Sequence, residues 1–240
     1  MLYYLNFVLF LVFSAVFFFT PIETANSNQV FLTVSTFLFS IFAGFFISRQ
    51  GNRYSIIRGQ IASLDGEFSN IYRNFQHFGK TIQEKAKTII KHDYDVIVKK
   101  HDWKYTFAQK TKVVTSLHQL IEDSTNGKEI NEVQKQAIER IMTSLGKLQI
   151  VRKMMIILTR ESIPKFQWLL LVLLAAILLI TIIFIPSHYN VIAAVLKGAF
   201  AGAIIFVFVL LKQLNKLELF EKTVGEESAQ DVLDIFSGKR

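Results

Sequence analysis

The chain has 240 residues, 51% of them hydrophobic, with 23 Phe, only 3 Pro and a formal net charge of +8. That balance departs from an ordinary soluble domain and points to a membrane protein. The absence of Cys excludes disulfides, thiolate metal ligands and a cysteine nucleophile.

Four long apolar runs follow along the chain: Leu2 to Thr20, Val30 to Ser48, Phe166 to Ile185 and Val191 to Leu211, the last interrupted only by Lys197. Each has about the length a helix needs to cross roughly 30 Å of hydrocarbon. Lipid offers backbone groups no partner, so runs of this length are expected to be helices and not open strands. No Lys or Arg precedes the first run, and Phe17, Phe18, Phe19 and Pro21 stand where a cleavage site needs small residues. It is expected to be a retained helix and not a signal peptide.

Of the 27 Lys and Arg residues, 21 lie between Arg49 and Lys165 and five more from Lys212 to Arg240. The turns at Pro21 to Gln29 and Pro186 to Asn190 contain none. The positive-inside rule then places the middle segment and the C-terminal tail in the cytosol, and an even number of spans puts the N-terminus there too. The middle segment holds 12 acidic residues against its 21 basic ones, a net of +9. The tail is acidic, with Glu218, Glu221, Glu226, Glu227, Asp231 and Asp234. The expected architecture is all-α, with four transmembrane helices in two hairpins and a helical cytosolic bundle between them. Its parts are a hairpin over 1–48, a basic cytosolic domain over 49–165, a second hairpin over 166–212 and a tail over 213–240.

From Arg49 to Phe78, Ile57, Ile61, Leu64, Phe68, Ile71 and Phe75 recur at helical spacing, so the second span is expected to continue beyond the membrane as one helix. Gly51, Gly59 and Gly66 weaken that helix locally. Shorter helices are expected over Thr81 to Trp103 and Tyr105 to Asp123, with a turn at Ser124-Thr125-Asn126-Gly127. From Ile138, the set Ile141, Leu145, Leu148, Val151, Met155 and Leu158 defines a helix that Pro164 ends. The repeat Lys91-His92-Asp93-Tyr94 and Lys100-His101-Asp102-Trp103 is offset by about two and a half turns, which argues against a shared metal site.

Three groups of residues invite a functional reading. Thr33, Thr36, Ser40, Ala43, Gly44 and Ile47 form a mildly polar stripe on the second span, suited either to helix contact or to lining a water-filled pathway in an oligomer. Thr33, Thr36, Ser40 and Gly44 are the pore-lining candidates. Lys197 joins them as an ionisable residue inside an apolar run, with snorkelling to the outer surface as the alternative. Gly198 and Gly202, four apart, form a helix-packing face. Finally, Lys80 to Lys112 holds nine Lys interleaved with Tyr94, Trp103, Tyr105 and Phe107. Cations beside exposed aromatic faces suit a nucleotide or single-stranded nucleic acid. The candidates there are Lys91, Lys99, Lys100, Lys104, Lys110, Lys112, Trp103 and Tyr105, against a solvated face or attraction to anionic headgroups. The five His show no metal-ligand spacing, and no Walker loop, dinucleotide fingerprint or serine elbow occurs, so neither an enzyme nor a cofactor is expected. The tail from Lys216 could form an amphipathic helix on Leu217, Phe220, Val224, Val232, Leu233 and Phe236, docking on a neighbour's basic domain, or remain an ordinary terminus.

Two N-terminal spans, a helical insert and two C-terminal spans, with Ser48-Arg49-Gln50-Gly51-Asn52-Arg53 through Arg58 and Glu67 to Tyr72-Arg73, resemble the bestrophin-like membrane family of bacteria and plants. Bestrophins proper are oligomeric anion channels, so the resemblance implies a channel-like assembly. The layout is also similar to channel-forming effectors of bacterial anti-phage systems, the Hailong type, which single-stranded DNA oligomers control. The resulting expectation is a homo-oligomer, tetramer or pentamer, in a bacterial inner membrane, gated through its basic domain by an anionic nucleotide or single-stranded oligonucleotide. A non-conducting membrane anchor that recruits a cytosolic partner is the alternative.

Overall fold

A computed structural model of the chain describes residues 8, 11, 12, 15, 16, 19, 27–100, 103, 104, 107, 112–127, 129–184, 191–218 and 225–237. Among them the ordered elements are helical: α1 Ser27–Phe75, a 3-10 turn Gln76–Phe78, α2 Lys80–Lys100, α3 Val113–Thr125, α4 Glu132–Arg160, α5 Lys165–Ile183, α6 Val191–Lys216 and α7 Gly225–Ser237. Two compact units result, Met1–Asn52 with Ser162–Lys216, and Arg53–Glu161 with Leu217–Arg240. Of the C-terminal residues, α7 packs with the bundle through Ala229, Val232 and Phe236.

Among the described residues, three stretches are helical, long and apolar enough to cross a membrane: Leu32–Phe78, Glu132–Ile183 and Val191–Lys216. Four spans were expected. Of the first run, Leu2 to Thr20, only Val8, Leu11, Val12, Ala15, Val16 and Phe19 are described, helical and exposed, and the rest lies outside the described residues. A span uses about 20 residues, the length of the apolar stretch 30–48 of α1, which ends just before the charged residues that begin at Arg49.

In the apolar unit, α1, α5 and α6 bury Phe39, Ala43, Phe46, Leu171, Leu178 and Ala201. Phe208 on α6 lies between Phe39 on α1 and Trp168 on α5, at ring-centroid distances of 6.2 Å to each. Phe37, Ile41, Phe45, Leu169 and Val172 point outward, as hydrocarbon permits. The stretch from Glu161 to Pro164 separates α4 from α5. Pro164 has no N–H, and its ring turns the preceding residue away from helix. The Ile163 N–H donates instead to Asn215 Oδ1 at 2.7 Å, so the break leaves no orphan there.

In the bundle unit, the two periodic stripes are the core. Ile57, Ile61, Leu64, Phe68, Ile71 and Phe75 on α1 are buried, as are Ile141, Leu145, Leu148, Val151, Met155 and Leu158 on α4. The two helices run antiparallel, with Glu67 paired to Lys147 at 3.0 Å and the Asn70 side chain donating to Ser144 Oγ at 2.9 Å. The α1 helix passes Gly51, Gly59 and Gly66 without a break, because burial of its stripe outweighs the roughly 1 kcal/mol each glycine costs. It ends at Phe75, and after the 3-10 turn Gly79 takes φ +103.

Two helix starts differ from expectation. α4 begins at Glu132, six residues early, because Asn131 and Gln134 form a reciprocal capping box. α3 begins only at Val113, after Lys112 leaves helical geometry at φ −91 and ψ 3. Most of 105–111 lies outside the described residues. Of the turn expected at 124–127, Ser124 and Thr125 still belong to α3, and the turn is made by Asn126, the C-cap, and Gly127 at φ +70.

Candidate functional site

The polar centre of the bundle is Asp65. It sits on α1 one position beyond the apolar stripe residue Leu64, and two hydroxyls converge on its carboxyl. Tyr94 on α2 donates to Oδ1 at 2.5 Å, and Ser228 on α7 donates to Oδ2. Tyr94 is held by its own burial at 2% exposure and by an edge-on contact with Phe68 at 5.8 Å. Burial pushes the Asp65 carboxyl up to about 6, the two donated hydrogen bonds oppose the shift, and Asp231 adds to it. Burial, followed by the neighbouring Asp65, also holds the Tyr94 phenol well above its ordinary value. Three helices therefore meet at one proton-binding carboxyl, a junction that sequence periodicity did not single out. A lone Asp beside an apolar stripe was its only signal.

A second polar clamp lies where α4 ends. Arg53, 3% exposed, donates from Nε to the Leu158 carbonyl at 2.7 Å and from Nη2 to the Thr159 carbonyl at 3.3 Å. These are among the last carbonyls of the helix, which have no intrahelical partner, and the guanidinium also complements the negative end of the helix dipole.

The basic stretch divides differently from its sequence pattern. Lys91, Lys99, Lys100 and Lys112 are exposed, while Lys104 is half-buried with its ammonium 5.4 Å from the Trp103 ring centroid. Trp103, Tyr94 and Phe107 are buried in the bundle core and offer no exposed stacking face. Lys110 and Tyr105 lie outside the described residues. A cleft of about 560 Å³ runs between α2 and α3 and is lined by Thr81, Glu84, Lys85, Thr88, Gln119 and Asp123, and by none of those lysines.

In the apolar unit, Thr33, Ser40 and Gly44 are exposed on α1 and Thr36 is half-buried, whereas Ala43 on the same stripe is packed inside. Lys197 and Gly198 are buried on α6, on the face that carries Ala194 and Ala201, and Gly202 is half-buried. That small-residue face is thus used within a single chain. Lys197 itself is 8% exposed.

No curated protein and no solved structure matches the chain. The model of the bestrophin-like domain matches residues 1–216, which takes in the apolar helices and the bundle up to the end of α6. The chain is a membrane protein that belongs to the bestrophin-like family.

Proposed function

We propose that the chain is a subunit of an oligomeric, channel-like protein of a bacterial inner membrane, gated through its bundle on the cytosolic side, with both termini cytosolic. The observation that carries this reading is α1, a single helix with Thr33, Thr36 and Ser40 toward one end and the bundle stripe Ile57 to Phe75 toward the other. A continuous helix is stiff enough to transmit a displacement along its axis. In one chain Thr33, Ser40 and Gly44 face outward, so several copies around an axis, four or five, would turn them toward a common pathway. Membership of the bestrophin-like family supports the same assembly.

The ligand we assign to the bundle is anionic, a nucleotide or single-stranded oligonucleotide, held by charge at exposed Lys91, Lys99, Lys100 and Lys112. Base stacking on Trp103 forms no part of this assignment, because that ring is buried. Such a ligand would suit an anti-phage effector.

The test is ion flux through vesicles holding the purified chain. Thr36→Leu and Ser40→Leu are each expected to cut the flux severalfold, whereas unchanged flux in both variants removes the stripe from the pathway. A wild-type chain that conducts under no condition leaves the non-conducting anchor as the better reading.

A further inference from the structure

The family match ends at residue 216, yet the chain goes on to form α7, which is fitted into the bundle. Ala229, Val232 and Phe236 are each no more than 3% exposed, and the helix packs along α2. The Phe236 ring meets Tyr72 on α1 at 4.8 Å between centroids, and Ser228 bonds Asp65. The opposite face, with Gln230 and Ser237, is exposed. The apolar side is one an amphipathic helix can present to a groove, leave and return to.

Two features set this seat apart from plain core packing. A carboxyl stands in it, and its two hydroxyl donors come from separate helices, α2 and α7. Next to it is a cavity of about 20 Å³ lined by Ile61, Leu64, Asp65, Tyr94, Trp103 and Ala229. That is room for one water, with a polar partner available on its wall. The helix is therefore seated over a group that can exchange a proton.

We propose that α7 is a proton-operated latch: with Asp65 protonated the helix is held closed on the bundle, and ionisation of Asp65 loosens it.

The direction follows from linkage. Covered by α7, the carboxyl sits at about 6 against an ordinary 3.8, because burial disfavours its charged form. Uncovered, it regains water and returns toward the ordinary value. A raised value in the closed state means that closure is fully supported below about 3.8 and loses that support as the pH rises through about 6. The closing equilibrium changes by at most about a hundredfold across that window, the limit reached if α7 supplies all the burial. The titratable groups that face Asp65 are Tyr94 on α2 and Asp231 on α7. Asp93, next to Tyr94, carries the exposed His92 at 3.6 Å. Trp103 and Phe107, on the remaining wall, do not titrate.

The latch does not depend on whether the chain conducts, because its readout is a distance. Since the sequence has no Cys, Gln230→Cys on α7 and Thr143→Cys on α4 can be labelled with nitroxides in the full-length protein and the spacing followed by pulsed EPR. Phe236→Ala supplies the released distance for calibration. One short distance is expected at acid pH, giving way to longer ones with a midpoint near 6. Asp65→Asn, which imitates the protonated acid, is expected to keep the short distance throughout. Ser228→Ala removes a bond that favours the ionised form, so its midpoint is expected to move upward. A wild-type distance indifferent to pH overturns the latch, and so does a response that survives Asp65→Asn, which would assign it to another group. If Asp65→Asn does not fold, an unmoved midpoint in Ser228→Ala decides against it.

Discussion

The Arg53 guanidinium donates to the Leu158 carbonyl at 2.7 Å, joining residues 105 positions apart where α4 gives out. With Thr159 as a second acceptor at 3.3 Å, one side chain takes the place of two missing helical N–H donors. Hydrogen bonds from a charged donor contribute about 1.5–3 kcal/mol each when buried. Arg53→Met is expected to lower the unfolding free energy of the detergent-solubilised protein by about 2–4 kcal/mol. Arg53→Lys should recover only part of the loss, since an ammonium lacks the fork that reaches both carbonyls. Chemical denaturation checks both, and full stability in Arg53→Met would refute the clamp.

Gly79 joins the end of the 3-10 turn to α2 at φ +103 and ψ 156, with its N–H on the Gln76 carbonyl at 3.1 Å. A Cβ there would meet open space, so the cost of Gly79→Ala is backbone strain alone. About 1–3 kcal/mol of destabilisation is expected. Gly127, at φ +70 in the region asparagine tolerates, should accept Gly127→Asn for less than about 1 kcal/mol. Equal losses at the two sites in thermal melts would count against this account.

Tyr94→Phe removes the donor to Asp65 and is expected to cost about 1.5–3 kcal/mol at neutral pH. The deficit should narrow in alkali. The wild-type phenol is held well above 10 in the folded state, so that contribution is complete below 10 and is lost as the pH climbs through and beyond it. Denaturant midpoints of the two proteins between pH 8 and 12 should therefore converge. Parallel curves would deny Tyr94 its role as a protonated donor.

Ala43 and Ser40 lie on neighbouring positions of α1 but in different surroundings, Ala43 at 4% exposure among Phe39, Phe46 and the α5 and α6 side chains, Ser40 outward. Ala43→Leu is expected to overpack that unit by about 1–3 kcal/mol. Ser40→Leu should leave thermal stability within about 0.5 kcal/mol and show itself only in flux. The reverse order of melting temperatures would place the stripe at a helix contact.

The core was legible residue by residue, because repetition at 3 and 4 is a local consequence of helix geometry. Every member of the stripes Ile57 to Phe75 and Ile141 to Leu158 is buried where its spacing put it. The length and apolarity of three of the four runs likewise suffice to identify helices able to cross a membrane. The seats of the aromatic residues were not legible. Tyr94, Trp103 and Phe107 read as faces beside lysines, but each ring has far more apolar surface to bury than its flanking cations can hold in water, and the bundle takes all three inward. Spacing along α1 placed Asp65 beside a stripe, and only packing brought Ser228, 163 positions later, onto its carboxyl. Periodicity within one helix determines which face turns inward. Which partner meets that face, and with it whether a carboxyl stays in water or binds a proton near pH 6, is decided by the helices that close over it.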